Sequence, residues 1–452
     1  MKTKNVDMLN GSVFKGILSL TIPIMIMNVM QTMFNIVDMT ILGNYASDTA
    51  VGAVGACGTL LTLCTSLMIG IASGANVVVA NSIGRKDREG TARAVGTSVL
   101  FSIIGGIALL IIGVTCARIF LGWINCPDKL MDQAVLYFKL YFCGAPILML
   151  YNFCASILRA SGDTQRPLRF MLTAGVIKIV CNFVFVSVFD MTVEGVGYAT
   201  IIANSVAATL SLVTLIRSKD SIHFDVKYLR IYGTEFKKML FIGIPTGLQS
   251  ALYSLANSVI AAAVNSFGPN ATTGISIANQ FDGILYQVAH APSLAVIPYV
   301  AQNVGAGNVK RVKEAVGKAV IVTVIFGATL GALSAIFSGQ LSSIMSQTPE
   351  VIMYSKQKMI IVSSTYFICG INEVMGGALR GLNRPIIPTV ATLIFMCVLR
   401  FFWVYMIFPL CPNLTFLYLV WPIGWICCIT TALSFYFPTL RKLSRRIELN
   451  CE

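Results

Sequence analysis

Charge is what this chain of 452 residues has least of: Asp, Glu, Lys and Arg together make up only 12% of it. A water-facing domain carries roughly 25%, so half that fraction cannot cover an aqueous surface. Histidine is almost missing, with His223 and His290 the two present. The 13 cysteines, among them Cys57, Cys64, Cys181 and Cys369, lie mostly inside apolar runs and form no CxxC pair. That argues against a zinc site and against a disulfide framework. A GxxxxGK-Ser/Thr phosphate loop, an HExxH pair and a GxSxG elbow are missing too. The chain is therefore not expected to be an enzyme or, alone, an ATP-driven pump, and it needs no metal or cofactor. What remains is apolar: 56% hydrophobic residues and a mean hydropathy of +0.78 place most of the chain in lipid.

The net charge of +14 would suit nucleic acid, but its placement points elsewhere. A spanning helix needs ~20 mostly apolar residues, and twelve such runs are expected: 15–43, 51–80, 94–117, 133–158, 169–189, 196–216, 238–265, 271–299, 315–338, 351–379, 385–408 and 415–438. Most Lys and Arg residues fall on alternate connections. Lys2, Lys4 and Lys15 lead; Arg85, Lys86, Arg88 and Arg93 follow, and Lys310, Arg311, Lys313 and Lys318 mark the second half. The other connections hold only Arg118, Lys129, Lys139, Lys356 and Lys358, while Lys178 and Arg400 fall inside spans. Under the positive-inside rule both termini are cytoplasmic. The expected place is the inner cell membrane, multi-pass, with the first run kept as an uncleaved span. The partners are then the lipid bilayer and a small-molecule substrate, with no nucleic acid, and the chain is expected to be a monomer.

The sequence also repeats itself at an offset of about 221 residues. Ala80-Asn-Ser-Ile-Gly84 recurs as Ala301-Gln-Asn-Val-Gly305, and Leu158-Arg159 as Leu379-Arg380. Pro23, Asn35 and Gly52 recur as Pro245, Asn257 and Gly274, and the two prolines are candidate helix bends. The expected fold is an all-α membrane protein of about 12 helices in two six-helix lobes. Residues 1–217 and 238–452 form the lobes and 218–237 a cytoplasmic linker. Six spans per copy give both copies the same orientation, a parallel repeat whose halves rock about a substrate site.

Four segments carry a family resemblance. Ile157-Leu-Arg-Ala-Ser-Gly-Asp-Thr-Gln-Arg-Pro167 has a weaker second copy in Ala378-Leu-Arg-Gly-Leu-Asn-Arg-Pro385. Val300-Ala-Gln-Asn-Val-Gly-Ala-Gly307 and Val37-Asp-Met-Thr-Ile-Leu-Gly43 complete the set. Together they resemble the multidrug and toxin extrusion (MATE) family, of the multidrug/oligosaccharidyl-lipid/polysaccharide exporter superfamily. The resemblance spans the chain and implies a V-shaped pair of lobes. It also implies export of organic cations or amphipathic compounds, driven by H⁺ or Na⁺. A lipid-linked oligosaccharide flippase or a narrow-specificity metabolite exporter is the rival expectation.

Polar residues inside the spans are the candidate site. Asn28, Gln31, Asn35 and Asp38 share one helical face by their spacing. A mid-membrane carboxylate costs ~2.5–3.5 kcal/mol, so Asp38, which matches the family's first-span aspartate, is the expected ion-coupling residue, with Asn35, Asn182 and Lys178 as the other members of the ion-coupling set. Asn35 recurs in the second copy, whereas Asp38 becomes Ile260. Lys178 and Asn182 lie one turn apart on the fifth span, and Val186 stands where parts of the family carry a second aspartate. Lys178 either pairs with Asp38 or snorkels to an interface. In the second half Asp282, Tyr286, Glu373 and Arg400 form a candidate charge or substrate cluster, unless Arg400 only neutralises one of the acids. Gln31, Met33 and Asn257 are candidate cavity-lining residues, and His290 is read as a packing residue.

Overall fold

The computed structural model describes residues 5–46, 48–124 and 126–449, so Lys2 and Lys4 lie outside it. The elements in order are α1 Val13–Tyr45, α2 Asp48–Gly84, α3 Arg88–Trp123, α4 Asp128–Cys143, α5 Ala145–Ala160, α6 Gln165–Phe183 and α7 Val193–Arg217. There follow α8 Gly233–Asn265, α9 Pro269–Gly305, α10 Val309–Ile336, α11 Ser338–Met345, α12 Pro349–Val362, α13 Tyr366–Gly381, α14 Ile386–Thr392, α15 Leu399–Phe402, α16 Leu414–Tyr418 and α17 Val420–Leu449. No strand occurs among the described residues. Among the described residues eleven helices are long and apolar enough to cross a membrane, or up to 12 if the bent pair α4–α5 is one span.

That bend departs from the expected continuous span over 133–158: α4 and α5 meet at 46°. Pro146 opens α5 without an N–H to give, and Gly144 closes α4 by donating to the Leu140 and Tyr141 carbonyls at 3.3 and 3.1 Å. The expected span over 385–408 is irregular for a different reason. Wide π turns at Leu393–Val398 and Trp403–Ile407 interrupt it, and Val184–Val188 makes a similar turn after α6.

The helices gather into two compact units. The first comprises residues 5–6 with Ile26–Gly247; the second comprises Asp7–Met25 with residues 248–449. Two helices therefore change unit along their length, α1 after Met25 and α8 after Gly247. Each carries a proline two residues before the change, Pro23 and Pro245.

In the first unit α2 lies on the early part of α8 with backbone against backbone. A Cβ on Gly70 would stand 2.4 Å from Gly247 N, and one on Gly74 would stand 2.2 Å from Met239 O. Small residues four apart on each helix, Gly70 and Gly74 against Gly243 and Gly247, allow that approach. In the second unit the core gathers about the fully buried Trp425, Tyr418 and Met396. Its N-terminal segment is held by α9 and α10: Asn303 Nδ2 donates to Met8 O at 3.1 Å, Arg311 Nε donates to the same carbonyl at 3.0 Å, and Arg311 Nη2 donates to Gly11 O.

The repeat is also visible in turn geometry. Lys86 (φ 57°) precedes Asp87, which caps α3 by accepting from Gly90 N–H at 2.8 Å. Gly307 (φ 73°) precedes Asn308, which caps α10 by accepting from Arg311 N–H at 3.1 Å. Both copies need a left-handed residue followed by a capping oxygen.

Candidate functional site

The first unit brings Asp38, Lys178 and Asn182 together. Lys178 Nζ donates to Asp38 Oδ2 at 2.6 Å, and Asn182 Nδ2 donates to Asp38 Oδ1 at 2.6 Å. One turn of α6 separates the two donors, so a single acid on α1 accepts from both. Asp38 is 8% exposed and Asn182 is fully buried. The Lys178 alternatives are thereby resolved in favour of the ion pair. An isolated charge at this depth would be costly; here each charge compensates the other and hydrogen bonds complete the carboxylate.

Local packing fixes the register of α1 on α6. Phe34, one turn before Asp38, lays its ring on Gly175, where a Cβ would stand 1.9 Å from Phe34 Cζ. Val186 is fully buried, and no second acid joins the group among the described residues. The expected polar face of α1 divides: Asp38 turns inward, Asn28 is half-buried, and Gln31 and Asn35 are exposed, as is the cavity-lining candidate Met33. Spacing alone does not separate the edge of a helical stripe from its centre.

The second unit holds two separate acid sites. Asp282 on α9 accepts from Ser363 Oγ at 2.9 Å and lies 3.0 Å from Lys358 Nζ, which also donates to Asn279 Oδ1. Lys358 is 2% exposed, which corrects its assignment to an outer connection. The available signal was its position, several residues inside the expected span 351–379. Glu373 on α13 instead faces His290, with Oε2 at 3.7 Å from Nε2. His290 stacks on Tyr286 at 5.5 Å between ring centroids, and Tyr286 stacks on Tyr253 at 6.2 Å. His290 is thus both a packing residue and the partner of an acid.

Arg400 is not the neutraliser of either acid. It is fully buried, donates through Nη1 to Asn257 Oδ1 at 2.6 Å and approaches Met396 Sδ through Nη2 at 3.7 Å. Its guanidinium carbon lies 5.2 Å from the Tyr253 ring centroid and 5.1 Å from that of Trp421. The offset that carries Asn35 onto Asn257 also carries Lys178 onto Arg400, a correspondence that the reading of the sequence missed. Each unit therefore buries a cation at the same place of its repeat. The first cation finds a carboxylate; the second finds an amide, because Ile260 replaces the acid.

The loop of the first motif copy, residues 161–164, is held by local contacts. Asp163 is 3% exposed, accepts from Arg166 N–H at 3.0 Å and pairs with Arg166 Nε at 3.1 Å. Burial pushes its carboxyl above the usual range, and the Arg166 charge and hydrogen bond oppose the shift.

Comparison with known proteins agrees with this geometry. The MatE family model matches residues 23–184 and again 245–406, two segments at the same offset as the buried cations. Probable multidrug resistance protein YpnP of Bacillus subtilis is 27% identical over 398 residues, covering 88% of this chain and 89% of the relative. Probable multidrug resistance protein NorM of Thermotoga maritima is 25% identical, covering 84% and 82%. A solved multidrug resistance MATE family transporter in its outward-facing conformation superposes with a TM-score of 0.88 at 19% identity, over 98% of this chain and 99% of that one. With a doubled family match over most of its length and a helical fold to go with it, the chain belongs to the MatE family of membrane transporters and is not an enzyme.

Proposed function

We propose that the chain is a proton-coupled antiporter that exports organic cations, drugs or amphipathic metabolites across the cell membrane by alternating access, with both termini in the cytoplasm. The names of the relatives support multidrug export. The alternation of basic connections supports the orientation. The single observation that carries the coupling is the Asp38–Lys178–Asn182 group.

Both oxygens of Asp38 already accept from nitrogen donors of this chain, and Lys178 fills the place a metal cation would take. Hard cations are held by several oxygens, and the group offers no second carboxylate. A proton asks for less. On reaching Asp38 it cancels the charge that holds Lys178, so α6 is released from α1; breaking such a buried pair from one side is worth ~3–5 kcal/mol. Transfer of that proton inward restores the pair and returns the carrier. Gln31, Met33 and Asn35 on the exposed side of α1 are the proposed substrate contacts next to it.

The test is ethidium efflux from cells expressing the protein, with the H⁺ and Na⁺ gradients collapsed separately. Loss of efflux only on collapse of the H⁺ gradient is expected, and Asp38→Asn should abolish coupled efflux while leaving expression intact. Full efflux by well-expressed Asp38→Asn protein would remove Asp38 from the mechanism. Efflux of nothing under any gradient would favour a flippase or a narrow metabolite exporter.

A further inference from the structure

Arg400 is a charged group buried without a counter-charge. Among the described residues no carboxylate lies within 4.0 Å of it, since Asp282 pairs with Lys358 and Glu373 with His290. Its Nε has no hydrogen-bond partner, and the Tyr253 and Trp421 rings supply only partial compensation. A buried cation left in this state attracts an anion strongly, because low dielectric and desolvation both favour pairing.

The way out runs through Asn257. Its Oδ1 accepts from Arg400, and the residue is exposed, so its Nδ2 donors are the end of the amide left for the outside. A hydrogen bond from a guanidinium to an amide oxygen polarises the amide N–H groups and makes them better donors. The neighbouring exposed hydroxyls on α8 are otherwise engaged. Ser254 Oγ donates to Ser250 O at 3.4 Å and Ser258 Oγ to Ser254 O at 3.3 Å. On α9, Asn279 and Gln280 are exposed as well. This face of the second unit is therefore polar at its surface, with the Arg400 charge just beneath.

We propose that Asn257, backed by the buried Arg400, is a recognition subsite for an oxyanion on the exported molecule, so that substrates bearing a carboxylate or phosphate are held by the second unit through this pair. The assignment deepens the export function proposed above and rests on it. At the equivalent place in the first unit the cation is not open to a ligand, because Lys178 is consumed by Asp38. The two repeats thus differ in what their equivalent cations can do: one is switched by a proton, the other is open to a ligand.

A matched pair of dyes tests this. Rhodamine B carries a free carboxylate, and rhodamine B ethyl ester is the same cation with that group masked. Binding of each to the full chain in a phosphate-free maltoside detergent is read by fluorescence anisotropy. Asn257→Asp keeps Arg400 partnered, so folding is preserved, while a negative charge now faces the ligand. We expect the affinity ratio of acid to ester to fall by about tenfold or more in Asn257→Asp, the worth of one charge-assisted bond. Arg400→Met should lower the ratio in the same direction and Arg400→Lys should retain part of it. An unchanged ratio in well-folded Asn257→Asp, with the ester still bound and exported, overturns the subsite alone. If wild-type protein neither binds nor exports either dye, the export function falls and the subsite with it.

Discussion

Replacing Lys178 by Met removes the only cation paired with Asp38 among the described residues and leaves a carboxylate with one amide donor, its side chain 11% exposed. Stripping one partner from a buried ion pair costs ~3–5 kcal/mol. Residual exposure of Lys178, 13%, argues for the lower end, so about 3 kcal/mol. The first unit has about 230 residues. For a body of that size each kcal/mol moves the melting point by ~2–4 °C, which predicts a loss of ~6–12 °C. Asp38→Asn should cost a similar amount, because it leaves the ammonium buried instead. The double variant removes both charges, and most of the loss should return, since neither residue then strands the other. The assay is thermal unfolding of the purified protein in detergent, followed by fluorescence size-exclusion, for the wild type, both single variants and the double. Losses in the double variant equal to the sum of the singles would refute the argument, because residues that add do not interact.

Two further predictions concern what surrounds that pair and what precedes it. Gly175→Leu drives a side chain into the Phe34 ring, where even a Cβ would stand 1.9 Å away. Overpacking of this kind costs ~1–3 kcal/mol and should lift α1 from α6, seen as a lower melting point together with loss of efflux. An unaltered efflux rate in Gly175→Leu would mean that the helix contact does not position Asp38. Asp7 is held below the ordinary carboxylate range, first by the Asn10 backbone N–H at 2.9 Å. Burial works against this, and the Leu9 N–H at 3.0 Å adds to it. A lowered folded pKa contributes above the ordinary value and is lost as pH falls through the folded one. Protection of the Leu9 and Asn10 amides from hydrogen exchange should therefore persist at neutral pH and decline in acid, ahead of the core amides. Constant protection through that range would show that the turn does not depend on the Asp7 charge.

Much of the architecture was legible because lipid imposes a coarse requirement. A run of apolar residues long enough to span is visible without knowing what it touches, and the doubled motifs are visible by offset alone. Asp38, Lys178 and Asn182 were legible for a related reason: the two donors sit one turn apart on one helix, and an acid in a span demands a partner. Asp282 made the same demand, yet Lys358 was passed over, because choosing between Arg400 and Lys358 requires knowing which helix lies against α9. The bend at Gly144 was hidden too, since Pro146 is equally at home in a bent helix and in the first turn of a new one. Which side chains of α1 are exposed depends on neighbours that helical spacing does not name.

The hand-over of α1 and α8 has a mechanical meaning. The described chain passes from one unit to the other at three places only: after Val6, after Met25 and after Gly247. A displacement of one unit against the other would bend the chain at those joints. At two of the three, the residue two positions earlier is a proline, which gives no N–H to the helical ladder and leaves the rod easiest to flex there. The protein thus resembles a linkage with few, identifiable pivots. Stiffening Pro23 and Pro245 is a different intervention from altering any polar side chain: it acts on the freedom to move and leaves the chemistry in place.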